Sequence, residues 1–135
     1  MVLAIIYSKI VTILLDKLTA QAQASPRLRM NLDLRNSAED CSQRMLNAIE
    51  PGSVVPIHRH RATSETVVVL RGRAVQYLYD DAGEVVERGL MGDGACAMNV
   101  PMGQWHRLEA LESGTVIMEF KDGPYEPIPE CDVMR

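Results

Sequence analysis

A chain of 135 residues is long enough to bury one core and too short for two ordinary domains, and its 47% hydrophobic and 24% charged residues are those of a globular protein. Fourteen basic against eighteen acidic residues leave a formal charge of −4, which excludes a global field that would gather nucleic acid or an anionic membrane surface, so any anion site must be local. Cys41, Cys96 and Cys131 are odd in number, far apart and without a C-x-x-C pair, so the expectation is free thiols in a reducing cytoplasm, with Cys96 in the core.

The apolar start "MVLAIIYSKIVTILL" has no charged n-region, and Lys9 interrupts it. It reads as structure rather than as a signal peptide or a membrane span. Residues 1–24 are expected to be an N-terminal segment, with "VLAII" as an edge strand and an amphipathic helix from Ile10 to Gln23. The helix is read from Ile6, Ile10, Ile13, Leu14 and Leu18, which recur at helical spacing and would give its docking face. Ser25-Pro26 ends it, because the residue before proline is pushed out of the α region. An apolar segment of this kind, covering a sheet edge or crossing to a partner, leads us to expect a homodimer.

Residues 25–135 form the main body. The stretch "SAEDCSQRMLNAIEPG" has a capping Ser37 and helix-favouring residues, yet "QRMLNAIEPG" also reads as a strand ending at a Pro-Gly turn. Beyond it, "TVVVL" (66–70), "AVQYLY" (74–79), "EVVE" (84–87), "ACAMNV" (95–100) and "GTVIMEF" (114–120) are rich in β-branched and aromatic residues. Turn chemistry separates them: Gly72, "DDAG", "GDG", and Pro101 with Gly103. Short strands at intervals of about ten residues with no helices between them indicate a β-sandwich or barrel.

The chain has three histidines, and two of them stand in "PIHRHRATSE". His58 and His60, two apart on a strand, point to one face and can grip one ion together. "RATS" is turn-like and lets strand parity reset, so that Glu65 can return to that face, while "PMGQWH" supplies His106. A lone His-x-His is usually a solvated strand; a third histidine and a carboxylate in compact motifs are what turn the reading to a metal. Arg59 and Arg61 are expected to be a solvated pair, and Trp105 to line the pocket or the core. Arg27, Arg29 and Arg44 offer a local anion site by pairing with phosphate or carboxylate, and Tyr125, after "KDG", is a candidate lid residue over the barrel mouth.

As patterns these stretches are Gly52-x5-His58-x-His60-x4-Glu65-x6-Gly72 and Gly94-x6-Pro101-x-Gly103-x2-His106. They closely resemble the two signature motifs of the cupin superfamily. The resemblance implies an all-β jelly roll in which His58, His60, Glu65 and His106 bind one divalent metal inside the barrel. Ala110 stands where the family carries an asparagine, a position that is usually structural. "SPRLRMN", "QRMLNAIEPGS", "VVLRGR" and "EFKDGPYEP" extend the likeness, over about residues 10–130, to the small WbuC-type cupin-fold metalloproteins, which are associated with bacterial surface-polysaccharide gene clusters. On that resemblance "QRMLNAI" is a strand. The expected function is binding of one divalent ion (Fe, Mn, Ni or Zn) and action on a small polar ligand, a sugar or sugar nucleotide, with Glu65 able to serve as a base and Arg27, Arg44 and Tyr125 as ligand contacts. An iron-dependent dioxygenase and a non-catalytic sugar-binding module are the alternatives. The absence of a helix-turn-helix in the sequence weighs against a transcription regulator.

Overall fold

A computed structural model describes residues 9–135, so the expected strand "VLAII" and the contribution of Ile6 lie outside the described residues. The chain runs α1 (Thr12–Ala24), β1 (Arg29–Asp33), β2 (Gln43–Ile49), β3 (Glu65–Arg71), β4 (Ala74–Tyr79), β5 (Val85–Met91), β6 (Ala97–Val100), β7 (Trp105–Ala110) and β8 (Thr115–Lys121), and a 3-10 turn spans Glu130–Asp132. The strands form two antiparallel sheets, β1-β2-β8-β3-β6 and β5-β4-β7, the two layers of a jelly roll. "QRMLNAI" is β2, a strand against its local helical leaning, because its alternation fits a sheet with both faces covered. Leu46 and Ala48 face α1, whereas Met45, Asn47 and Ile49 face the barrel interior. Among the described residues no helix is long and apolar enough to cross a membrane.

Helix α1 lies outside the larger sheet, over β1 and β2. Its buried face is Leu14, Leu15, Leu18 and Ala22, packed with Leu46, Ala48 and Val116. This corrects the expected face: Ile10 and Ile13 are exposed, Ile13 by 79%, because the 14–18–22 row already fills the groove and Ile13 lies on the far side of the helix. Arg71 ties the helix down, bonding to Asp16 Oδ1 at 2.6 Å and Thr19 Oγ1 at 2.8 Å. Ser25 ends the helix in an extended conformation before Pro26. A second cluster, Ile49, Val67, Ala74, Met91, Leu108, Ala110 and Ile117, fills the space between the sheets. Cys96 is exposed like the other two cysteines, not in the core, because it precedes the short edge strand β6 instead of lying within a central one.

A candidate metal centre and its cavity

The two histidine motifs are stitched together by their backbones. His58 N–H donates to the His106 carbonyl at 3.1 Å, His106 N–H donates back at 2.8 Å, and Gly103 N–H donates to the His60 carbonyl at 2.8 Å. Gly103 makes that turn at φ +80°, a conformation open to glycine and costly for other residues. His58 is thereby held in an isolated antiparallel bridge beside β7.

On this frame the three imidazoles converge, and one nitrogen from each lies within 4.8 Å of the others. The His58 and His106 rings are 4.3 Å apart at their centroids. Nδ1 of His58 bonds the Pro56 carbonyl and Nδ1 of His106 the Gln104 carbonyl, both at 2.8 Å. A carbonyl can only accept, so both rings carry their proton on Nδ1 and turn a bare Nε2 lone pair inward. Burial, followed by the neighbouring His106, lowers the His58 pKa to about 4, so the neutral, ligating form prevails at neutral pH.

Glu65 opens β3 and brings Oε2 to 3.3 Å from Nε2 of both His60 and His106. Neither approach has hydrogen-bond alignment, so both Nε2 atoms are buried without a hydrogen-bond partner among the described residues. Burial alone would raise the Glu65 pKa, but the His106 and His60 rings, whenever they are protonated, and the nearby Lys121 ammonium hold it well below the usual carboxylate range. Three imidazole nitrogens, two of them buried and unsatisfied, beside an ionised carboxylate are a donor set that fits a divalent cation; mixed nitrogen and oxygen donors accept Fe, Mn, Ni and Zn alike.

His58, His60 and Glu65 line a cavity of about 570 Å³ together with residues of β1, β2 and β8 and the 124–129 loop. Arg27, Arg29 and Tyr125 line it as well; Tyr125 is exposed, with the Arg35 guanidinium 5.5 Å from its ring centroid. Between Arg27 and Arg29 sits Leu28 at φ +55°, a left-handed conformation that costs a leucine on the order of 1 kcal/mol or more. Its carbonyl accepts the Glu50 N–H and its N–H donates to Ser25, so the turn is held from both sides.

Arg44 is not brought to the cavity. Strand alternation sends it to the other face of β2, where it bonds the Leu34 carbonyl and Asp40, both at 3.0 Å. Arg61 is exposed, as expected, whereas Arg59 is half-buried, and the two share one partner. Both bond Asp132 Oδ1, at 2.8 and 2.7 Å, and Asp132 is 2% exposed. The Arg59 guanidinium also lies 4.3 Å from the buried Trp105 ring centroid. With Arg59 N–H bonded to the Asp132 carbonyl and Met134 N–H to that of Ile57, the C-terminal segment clamps the extended segment that carries His58 and His60. Sequence reasoning also missed Asn47, Glu119 and Lys121, which line the cavity. The signal was strand alternation, which puts Glu119 and Lys121 on the same face of β8 as Ile117 and Asn47 on the same face of β2 as Met45 and Ile49.

The model of a domain of unknown function, DUF6016, matches residues 10–91. The chain belongs to the DUF6016 family. No curated protein matches its sequence. Among solved structures it is similar to KdgF from Halomonas sp., with a TM-score of 0.60 and 16% identity over 76% of this chain and 84% of that one. It is also similar to oxalate oxidase in complex with the substrate analogue glycolate, with a TM-score of 0.64 and 15% identity over 78% of this chain and 56% of that one. The capsular polysaccharide assembling protein CapF from Staphylococcus aureus gives a TM-score of 0.65 and 20% identity over 82% of this chain and 32% of that one. This DUF6016 chain thus spans about half of that oxalate oxidase chain and a third of CapF. All three neighbours are cupins, and the likeness establishes the cupin fold.

Proposed function

We propose that this protein is a cupin that binds one divalent ion through His58, His60, Glu65 and His106 and acts on a sugar or sugar nucleotide of bacterial surface-polysaccharide formation. The observation that carries the reading is the pair of buried, unsatisfied Nε2 atoms of His60 and His106 around an ionised Glu65, next to a cavity large enough for a sugar. The WbuC-type resemblance and the structural likeness to CapF, a capsular polysaccharide assembling protein, support the polysaccharide setting. A divalent ion bound here supplies Lewis acidity toward adjacent ligand oxygens. The chain's own residues do the rest: Glu65, on leaving the ion, takes up a proton from the ligand, Arg27 meets an anionic group, and Tyr125 covers the mouth.

Arg27 separates this reading from a bare metal barrel. Arg27→Ala is expected to weaken a nucleotide sugar such as UDP-glucose by about 1.5–3 kcal/mol, the usual worth of a hydrogen bond to a charged group. A neutral sugar should lose much less, and metal content should not change. Arg44→Ala, outside the cavity, should leave both affinities as they were. Calorimetric titration of the metal-loaded protein makes the comparison, and equal losses for charged and neutral ligands in Arg27→Ala would contradict the assignment.

A further inference from the structure

The inner face of β2 and β8 carries a polar row that supplies no ligand to the metal centre, although Lys121 lies beside Glu65. Asn47 Nδ2 lies 3.4 Å from Glu119 Oε1, and Lys121 Nζ lies 3.5 Å from Glu119 Oε2. Both contacts are at the long limit of a hydrogen bond, so none of the three groups is fully engaged. Asn47 Oδ1 is buried with no hydrogen-bond partner among the described residues, and a buried acceptor left without a donor is destabilising. Turning the amide over would set its oxygen against the Glu119 carboxyl and leave the nitrogen orphaned instead, so either orientation leaves one position for a ligand. Lys121 has N–H groups to spare after its contact with Glu119. All three residues line the same cavity as Arg29, whose Nη1 is occupied by the Val54 carbonyl at 2.7 Å while the rest of its fork remains.

This row combines a buried acceptor that needs a donor, a carboxyl that can accept or donate, and an ammonium with free protons. Such a set matches a ring with neighbouring hydroxyl groups and an acidic substituent better than an apolar or a purely anionic ligand. Charge agrees: five basic residues line the cavity against four acidic ones, even before a divalent ion is added.

We infer that Asn47, Glu119 and Lys121 form a recognition site for a hydroxylated sugar ring carrying a carboxylate or phosphate, with Asn47 Oδ1 accepting from a ring hydroxyl and Lys121 holding the acidic group. The site deepens the function proposed above and rests on it for the sugar class. Glu119 links the two and fixes the spacing between hydroxyl and acid.

The test is titration of metal-loaded protein with glucuronate, glucose 1-phosphate, glucose and inorganic phosphate, read by calorimetry, with metal content measured on every sample. Wild-type protein should bind at least one of the two acidic sugars at least tenfold more tightly than glucose, and which of them binds tells carboxylate from phosphate. Lys121→Met should weaken that sugar by tenfold or more and weaken inorganic phosphate as well, while Lys121→Arg restores most of the affinity. Asn47→Ala should weaken the acidic sugar severalfold and leave inorganic phosphate unchanged, since phosphate offers no ring hydroxyl. Metal content should match wild type in Asn47→Ala and Lys121→Arg, both of which keep a cation beside Glu65, and the affinities of Lys121→Met are compared at saturating metal. Wild-type protein that loads metal yet binds neither acidic sugar more tightly than glucose, or variants that bind like wild type, would overturn the site and leave the metal centre standing. Lys121-dependent sugar binding by a protein that takes up no metal would sink the metal reading and keep this one.

Discussion

His106→Ala is expected to abolish stable metal binding and with it the part of the melting temperature that chelator removes from wild-type protein. His106 is 3% exposed and supplies one of the two buried, unsatisfied Nε2 atoms. Loss of residues that merely support a ligand costs 10–100-fold in metal affinity, and loss of a ligand itself should cost at least as much. An ion present at about a thousand times its dissociation constant stabilises the folded state by about 4 kcal/mol. For a chain of this length that corresponds to roughly 10–20 °C in melting temperature. Removing a buried ring also leaves a cavity, which lowers stability whether or not metal is involved. The decisive comparison is therefore the chelator-induced shift within each protein: large in wild type, near zero in His106→Ala.

Leu46→Ala should be the most damaging change away from the centre. Leu46 has no exposed surface and is clamped between β2 and the Leu14, Leu15 and Leu18 face of α1. Truncating a buried leucine costs about 2–5 kcal/mol, the spread reflecting how far neighbours relax into the hole. Ile13→Ala, on the exposed side of the same helix, should change stability by no more than about 0.5 kcal/mol. Chemical denaturation with a common slope measures both. Leu46 faces away from the cavity, so the variant should still take up metal. A large effect of Ile13→Ala would mean that α1 docks by its other face.

Where β-branched residues alternate over a full strand, the sequence was read with little error: "AVQYLY" is β4 to the residue, and "TVVVL" and "GTVIMEF" lie within one residue of β3 and β8 at each end. Two strands escaped notice for different reasons. In β1, "RMNLD" is short and half polar; it has little local signal and is held by pairing with β2 from Arg29↔Ile49 to Asp33↔Met45. In β7, "WHRLEA" alternates as a strand should, with Leu108 and Ala110 facing inward, but Leu, Glu and Ala are helix formers and mask the period.

At the site, the motif spacing brought out His58, His60, Glu65 and His106 because short turns fix their relation along the chain. Arginine roles were less legible, since face and partner decide them. Arg44 differs from the cavity-lining Met45 by one step of strand parity, and a one-residue step reverses the face. Arg59 and Arg61 are explained by Asp132, more than seventy residues away in sequence, and no local pattern carries that distance. Asn47 and Glu119 are likewise brought together only by the pairing of β2 with β8.

The central claim is that His58, His60, Glu65 and His106 share one resident divalent ion. Elemental analysis of the full chain purified from its native host, joined to its melting curve before and after exhaustive chelation, addresses it most directly. The account predicts about one divalent ion per chain, a fall in melting temperature when the ion is stripped, and recovery when it is returned. Protein that is metal-free as isolated, and whose melting curve does not respond to chelator or to added iron, manganese, nickel or zinc, would contradict it.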